Sequence, residues 1–116
     1  KIVCYTVNND GGVIMKIING NEFESTISSG VVLVDFFATW CGPCKMLSPV
    51  LEQVSEELAG KVEIVKVDVD QDGDLAAQFG IMSVPTMIVF KDGQPVGKMQ
   101  GYVPAPQLKE ALEKML

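Results

Sequence analysis

The spacing of apolar residues changes several times along the chain, and each change marks an element. Residues 13–18 form a short β-rich run. Asn19-Gly20-Asn21 then offers a cap for a helical stretch over 22–28. Val31–Phe37 is apolar at every position except Asp35, which predicts a central strand covered on both faces. From 41 to 59, Met46, Leu47, Val50, Leu51, Val54 and Leu58 recur at helical spacing. Gly60 closes that helix, and Pro49, which lacks the N–H the ladder needs, should kink it. Residues 62–69 alternate as a strand, and 72–79 read as a short helix stopped by Gly80. Runs at 86–90 and 95–99 flank Lys91-Asp92-Gly93-Gln94, a strong hairpin signal. The last helix spans 106–116, with Leu108, Leu112 and Met115 on one stripe.

The resulting order is β-α-β-α-β-α-β-β-α. Strands joined through helices are expected to be parallel with right-handed crossovers, and the final hairpin antiparallel. This is an α/β class: a mixed sheet with helices on both faces. No repeat, linker or low-complexity segment divides it, so 13–116 is one domain preceded by an extension at 1–12. In the extension, 2–7 is β-prone and 8–12 turn-rich. A hairpin onto 13–18 is expected, adding an edge strand that could also pair with a second chain. A partly ordered tail is the alternative.

Composition narrows the function. The 116 residues are 47% apolar and 21% charged, ordinary values for a domain that buries its own core. Nine basic and fifteen acidic residues give a net charge of −6, which argues against nucleic-acid or anionic-membrane partners. No stretch approaches the roughly 18 consecutive apolar residues of a membrane span, and no signal-peptide pattern opens the chain. A cytoplasmic monomer is the expectation. There is no histidine, so histidine-based catalysis, metal ligation and pH switching are excluded.

The three cysteines are too few and too odd in number for a disulfide scaffold, and two of them, Cys41 and Cys44, stand three apart. In Trp40-Cys41-Gly42-Pro43-Cys44-Lys45 they follow a buried strand and open a long helix. Residues three apart share a helix face, so the sulfurs can meet. Cys41 falls at the helix start, where free N–H groups favour a thiolate and raise its nucleophilicity at neutral pH. Pro43 suits the first turn, where its missing N–H costs nothing. Cys44 lies deeper and should be the less exposed thiol. A structural zinc site is the competing reading of the pair. It needs four ligands, and the chain can add only Cys4.

At these residues the chain resembles the thioredoxin family. The segment from Val34 through Asp35, Trp40 and the two cysteines to Lys45 matches that family's active-site stretch nearly throughout, and Val84-Pro85-Thr86, Lys91-Asp92-Gly93 and Gly101 fall where its pattern expects them. The resemblance runs from about Val13 to Leu116. It implies a thioredoxin fold and a general protein disulfide reductase. Cys41 would attack a substrate disulfide and Cys44 would resolve the mixed disulfide. The pair would be re-reduced by a thioredoxin reductase, usually a flavoprotein fed by NADPH. The chain carries no cofactor motif of its own.

The resemblance also assigns roles around the pair. Asp35 becomes a buried proton acceptor and donor for Cys44; otherwise it is a strand-end carboxylate turned to solvent. Lys66 would lie near Asp35 and tune it, or be an ordinary outward-facing lysine. Pro85 would follow a cis peptide bond and face the cysteines, leaving the Val84 backbone to pair with an extended substrate. Trp40 would wall a substrate groove with Gly42, Pro43, Val84, Pro85 and Gly101, or else pack in the core. Gly101 would let a partner backbone approach, or be a turn glycine. Three positions depart from the family pattern: Phe37 stands where a second tryptophan is common, Ser83 where a glycine is frequent, and Gln100 where an apolar residue usually lines the groove.

Other functions fit less well. An oxidase or isomerase on this fold would favour a histidine between the cysteines, whereas Gly42-Pro43 suits a reductant. A glutathione-dependent enzyme lacks an obvious clamp for its thiol cofactor. A redox-independent, chaperone-like binding module is the alternative that would survive loss of both cysteines.

Overall fold

The computed structural model describes residues 6–7 and 13–116. Its elements are β1 (Thr6–Val7), β2 (Val13–Ile14), β3 (Lys16–Ile17), α1 (Gly20–Ile27), β4 (Val31–Phe37), α2 (Gly42–Glu57), β5 (Val62–Asp68), α3 (Gly73–Gln78), β6 (Thr86–Lys91), β7 (Gln94–Gln100) and α4 (Ala105–Glu113). Five strands form one sheet in the order β3-β5-β4-β6-β7. β3 and β4 run parallel to β5, while β6 is antiparallel to β4 and to β7.

Local chemistry explains the element ends. α1 opens on a capping box: the Glu22 N–H donates to Asn19 Oδ1 at 3.1 Å, and the Asn19 N–H donates to Glu22 Oε1 at 3.2 Å. The β6–β7 turn has positive φ at both Asp92 and Gly93, the geometry that matches the twist of a two-residue hairpin. α2 runs from Gly42 to Glu57 without a break at Pro49.

Two sequence expectations are corrected. First, β5, α3 and β6 do not form a parallel crossover. β5 has seven residues, about 23 Å of strand. α3 has six, about 9 Å of helix, and does not run the length of the sheet. The chain turns near the end it has reached, and β6 runs antiparallel to β4. Second, β1 pairs with β2 (Thr6 opposite Ile14, Val7 opposite Val13) in a two-stranded sheet of its own. The extra strand exists, but it is not an edge of the main sheet. The run 13–18 breaks at Met15, whose side chain is buried in the core, and only Lys16–Ile17 joins β5. Cys4 and the rest of the extension lie outside the described residues.

β4 is buried along its whole length, and its alternation supplies both cores. Val31 and Leu33 share a cluster with Leu47, Leu51 and Val54 of α2 and Leu108 and Leu112 of α4. Val32, Val34 and Phe36 share the opposite cluster with Phe23 of α1, Leu75 of α3 and Phe90 of β6. Met46 is not on the buried stripe of α2; it sits one residue off the Cys44–Leu47–Leu51 row and is exposed.

Leu47 is fully buried between α2 and the sheet. Replacing it with alanine should cost about 2–5 kcal/mol, seen as a lower urea midpoint at unchanged slope.

Candidate active site

β4 ends at Phe37, and Ala38, Thr39 and Trp40 carry the chain to Cys41, the N-cap of α2. The Cys41 backbone is extended (φ −88°, ψ 117°), so its side chain folds over the first turn of the helix and Sγ accepts the Cys44 N–H at 3.1 Å. Pro43 lies in that first turn. The two sulfurs form a disulfide, with Cα atoms 5.3 Å apart. Burial does not separate them: Cys41 is 4% exposed and Cys44 3%. The expected difference in exposure is absent from this oxidised pair, in which each sulfur covers the other. The asymmetry lies in hydrogen bonding. Cys41 Sγ faces the free N–H groups and the positive end of α2, an environment that favours negative charge on that sulfur in the reduced pair.

Asp35 occupies the row of β4 that faces α2. It stands between Leu33, clustered with Leu47 and Leu51, and Phe37, clustered with Cys44. It is 0% exposed, and neither carboxylate oxygen has a hydrogen-bond partner. Burial pushes its pKa up to about 6, and the nearby Lys66 charge opposes the rise. Asp35 is therefore not a strand-end carboxylate in solvent. Lys66 stands opposite Asp35 in the β4–β5 register and is half-buried. Its ammonium donates to Ser48 Oγ at 3.1 Å and lies 4.5 Å from the centre of the Phe37 ring. Lys66 thus acts on Asp35 through its charge, with no hydrogen bond between them.

Around the disulfide the surface is apolar. Trp40 is 69% exposed, which removes the core-packing reading, and its indole N–H donates to Asp70 Oδ2 at 2.8 Å. Trp40, Val69, Ile81, Met82, Ser83 and Val84 line an open pocket. The Val84–Pro85 peptide bond is cis, as expected. The Val84 carbonyl oxygen lies 3.6 Å from Cys41 Sγ, a contact rather than a hydrogen bond while the sulfur is in the disulfide. Gly42 and Pro43 are exposed at the start of α2. Gly101 has φ +79°, and its N–H donates to the Pro85 carbonyl at 2.8 Å. A Cβ there would meet nothing within 4 Å, so the backbone angle, not crowding, is what calls for glycine in the free chain.

Phe37 fills the apolar space beside the cysteines and carries Lys66 on its ring. Ser83 and Gln100 are exposed, and the Ser83 carbonyl accepts the Thr86 hydroxyl. Sequence reasoning missed Met82, 93% exposed in the pocket wall, as well as Asp70 and Ser48. An apolar residue in the aperiodic stretch before Pro85 was the available signal for Met82. Asp70 and Ser48 gave none, because each matters only through a partner distant in sequence. Among the described residues no group of three or more Cys, His, Asp or Glu is placed to hold a metal ion, and no helix is long and apolar enough to cross a membrane.

Comparison with known proteins agrees with the geometry. Residues 14–114 match the thioredoxin family model. Thioredoxins of Staphylococcus aureus strains Mu50 and MW2 are each 52% identical over 103 residues, covering 89% of this chain and 98% of theirs. The crystal structure of chloroplastic thioredoxin z superposes with a TM-score of 0.81 at 39% identity, covering 87% of this chain and 93% of that one. The chain belongs to the thioredoxin family, protein-disulfide reductases with a redox-active Cys-x-x-C pair, which in this chain is Cys41–Cys44.

Proposed function

We propose that the reduced chain donates two electrons to protein disulfides, with Cys41 as nucleophile and Cys44 as resolving thiol. The supporting observation is the Cys44 N–H aimed at Cys41 Sγ at the start of α2. The Cys41 thiolate attacks one sulfur of a substrate disulfide. A bond forms from Cys41 to that sulfur, the substrate S–S bond breaks, and the other substrate sulfur leaves as a thiolate that takes a proton. Asp35 accepts the Cys44 proton, and the Cys44 thiolate attacks Cys41 Sγ. The second substrate thiolate leaves, and the Cys41–Cys44 disulfide remains. This second attack is intramolecular, so the mixed disulfide is short-lived.

Trp40, Gly42, Pro43, Val84, Pro85 and Gly101 would bind the substrate. Trp40 supplies an exposed aromatic wall, Gly42 and Pro43 flank the nucleophile, and the backbone near Pro85 and Gly101 borders an extended segment. Lys66 tunes Asp35 by charge. Oxidised protein returns to the dithiol through a thioredoxin reductase, with NADPH and flavin as the expected electron source. A reducing compartment such as the cytoplasm suits that cycle.

Trapping tests the order of attack. Wild type should reduce a protein disulfide catalytically and neither Cys41→Ser nor Cys44→Ser should do so, while Cys44→Ser should accumulate a mixed disulfide through Cys41, seen by mass spectrometry. A trap through Cys44 would reverse the assignment. A folded wild type without turnover would favour the redox-independent binding module.

Asp35 gives a prediction with a fixed sign. Its pKa of about 6 in the folded chain stands above the ordinary 3.8, so between those values the folded state keeps a proton that the unfolded chain releases. Stability therefore falls as pH rises through that window, and the loss is complete above it. Asp35→Asn removes the loss. The oxidised variant should exceed wild type by up to about 3 kcal/mol near pH 7 and converge on it near pH 3 to 4, read by urea unfolding. A pH-independent gap would show that the carboxyl is not desolvated. Disulfide exchange by the variant should slow.

A further inference from the structure

Lys66 carries a flexible four-carbon stem, and such side chains ordinarily extend their charge into water. Here a way out exists: an open pocket lined by Met15, Ile17, Leu51 and Glu52 borders Lys66. Yet the ammonium is held 3.1 Å from Ser48 Oγ, over the Phe37 ring. The sense of this bond is forced. An ammonium only donates, so Ser48 Oγ must accept from it. The one hydroxyl proton is then committed elsewhere, and it goes to the Cys44 carbonyl at 3.3 Å. Ser48 is thereby fixed from the helix side and presents a lone pair to Lys66.

We propose that Ser48 is a positioning residue of the redox centre: its hydroxyl, anchored on the Cys44 carbonyl, clamps the Lys66 ammonium beside the unpartnered carboxyl of Asp35. Asp35 has no hydrogen bond to stabilise its charge, so the place of the Lys66 charge sets how readily it loses a proton. The other ionisable groups around it, among the described residues, are Asp68 from β5 and Lys45 and Glu52 from α2, joined by Cys44 only once the disulfide is reduced. β3, β4 and β6 contribute Ile17, Phe37 and Met87, which are apolar. Without the Ser48 hydroxyl, Lys66 can follow its pocket toward Glu52, and Asp35 holds its proton to higher pH.

The inference builds on the reading of Asp35 as proton acceptor for Cys44, but its first test does not depend on catalysis. Asp35 is titrated through its carboxyl carbon by NMR in the oxidised protein. Ser48→Ala suits a helix interior and should raise the Asp35 midpoint by about half a pH unit or more. Ser48→Thr, which keeps the hydroxyl, should restore it. Lys66→Met should raise the midpoint too, and adding Ser48→Ala to Lys66→Met should raise it no further. Coincident titrations of wild type and Ser48→Ala would overturn the proposal, as would an equal rise from Ser48→Ala in the Lys66→Met background. The second readout is the rate of mixed-disulfide resolution against pH, whose acid limb should move up with the Asp35 midpoint. A shifted titration with an unmoved rate profile would leave the clamp standing and remove Asp35 from the proton transfer.

Discussion

A strand with no solvent face leaves its residues no choice of environment, and β4 is such a strand. Every position from Val31 to Phe37 is buried, so alternation alone decides which core each side chain enters. The odd positions face α2, and Asp35 is one of them. A carboxyl is thereby carried into a layer that includes Leu33, Leu47, Leu51 and Phe37, and it makes no hydrogen bond there. The same burial that gives the fold its core raises the proton affinity of this acid toward neutrality. Stability is given up at that one position, and a group able to exchange a proton near neutral pH is obtained.

The helix that covers Asp35 also sets the surroundings of Cys41. α2 buries one side through Leu47, Val50, Leu51 and Val54, and its free N-terminus points at Cys41. The packing that fixes α2 on the sheet therefore fixes the distance from the helix end to the acid below it. A cysteine used as an N-cap accepts a backbone N–H in the way a serine or aspartate would, so the contact that caps α2 also places Cys41 Sγ where negative charge is favoured. Lys66 completes the set from β5, held by the helix at Ser48 and by the strand at Phe37. A phenylalanine at position 37 retains a ring face for the ammonium while offering no N–H.

Much of this was legible in the residues. β4 was readable because seven residues with one polar interruption admit few other environments, and α2 because its stripe repeats over four turns. Cys41 and Cys44 were readable because a local spacing at a helix start carries its own chemistry. What escaped were relations across the sheet. The position of the Lys66 ammonium depends on Ser48, eighteen residues away, and the stance of Trp40 on Asp70, thirty away; no local pattern marks either pair. The hairpin of the extension onto 13–14 was readable, but not that the pair stands apart from the main sheet, because β-propensity does not say which sheet a segment joins. Met46 was misassigned because apolar spacing alone does not locate the end of the packed face.

The crossover between β5 and β6 was also misread, and the antiparallel return found in its place is what completes the site. A parallel crossover would have returned the chain to the far end of the sheet before β6 began, placing Val84 and Pro85 there, away from the end of β4 where Cys41 sits. Because the chain does not make that return, β6 starts beside the end of β4, with Phe36 opposite Thr86. Val84, two residues before Thr86, then falls against the disulfide, its carbonyl oxygen 3.6 Å from Cys41 Sγ. Gly101, just past the end of β7, comes to the same place, since β7 lies antiparallel to β6 with Gln100 opposite Thr86. The apolar surface around Cys41 is thus assembled from three chain segments that the antiparallel pairing of β6 with β4 and β7 brings together.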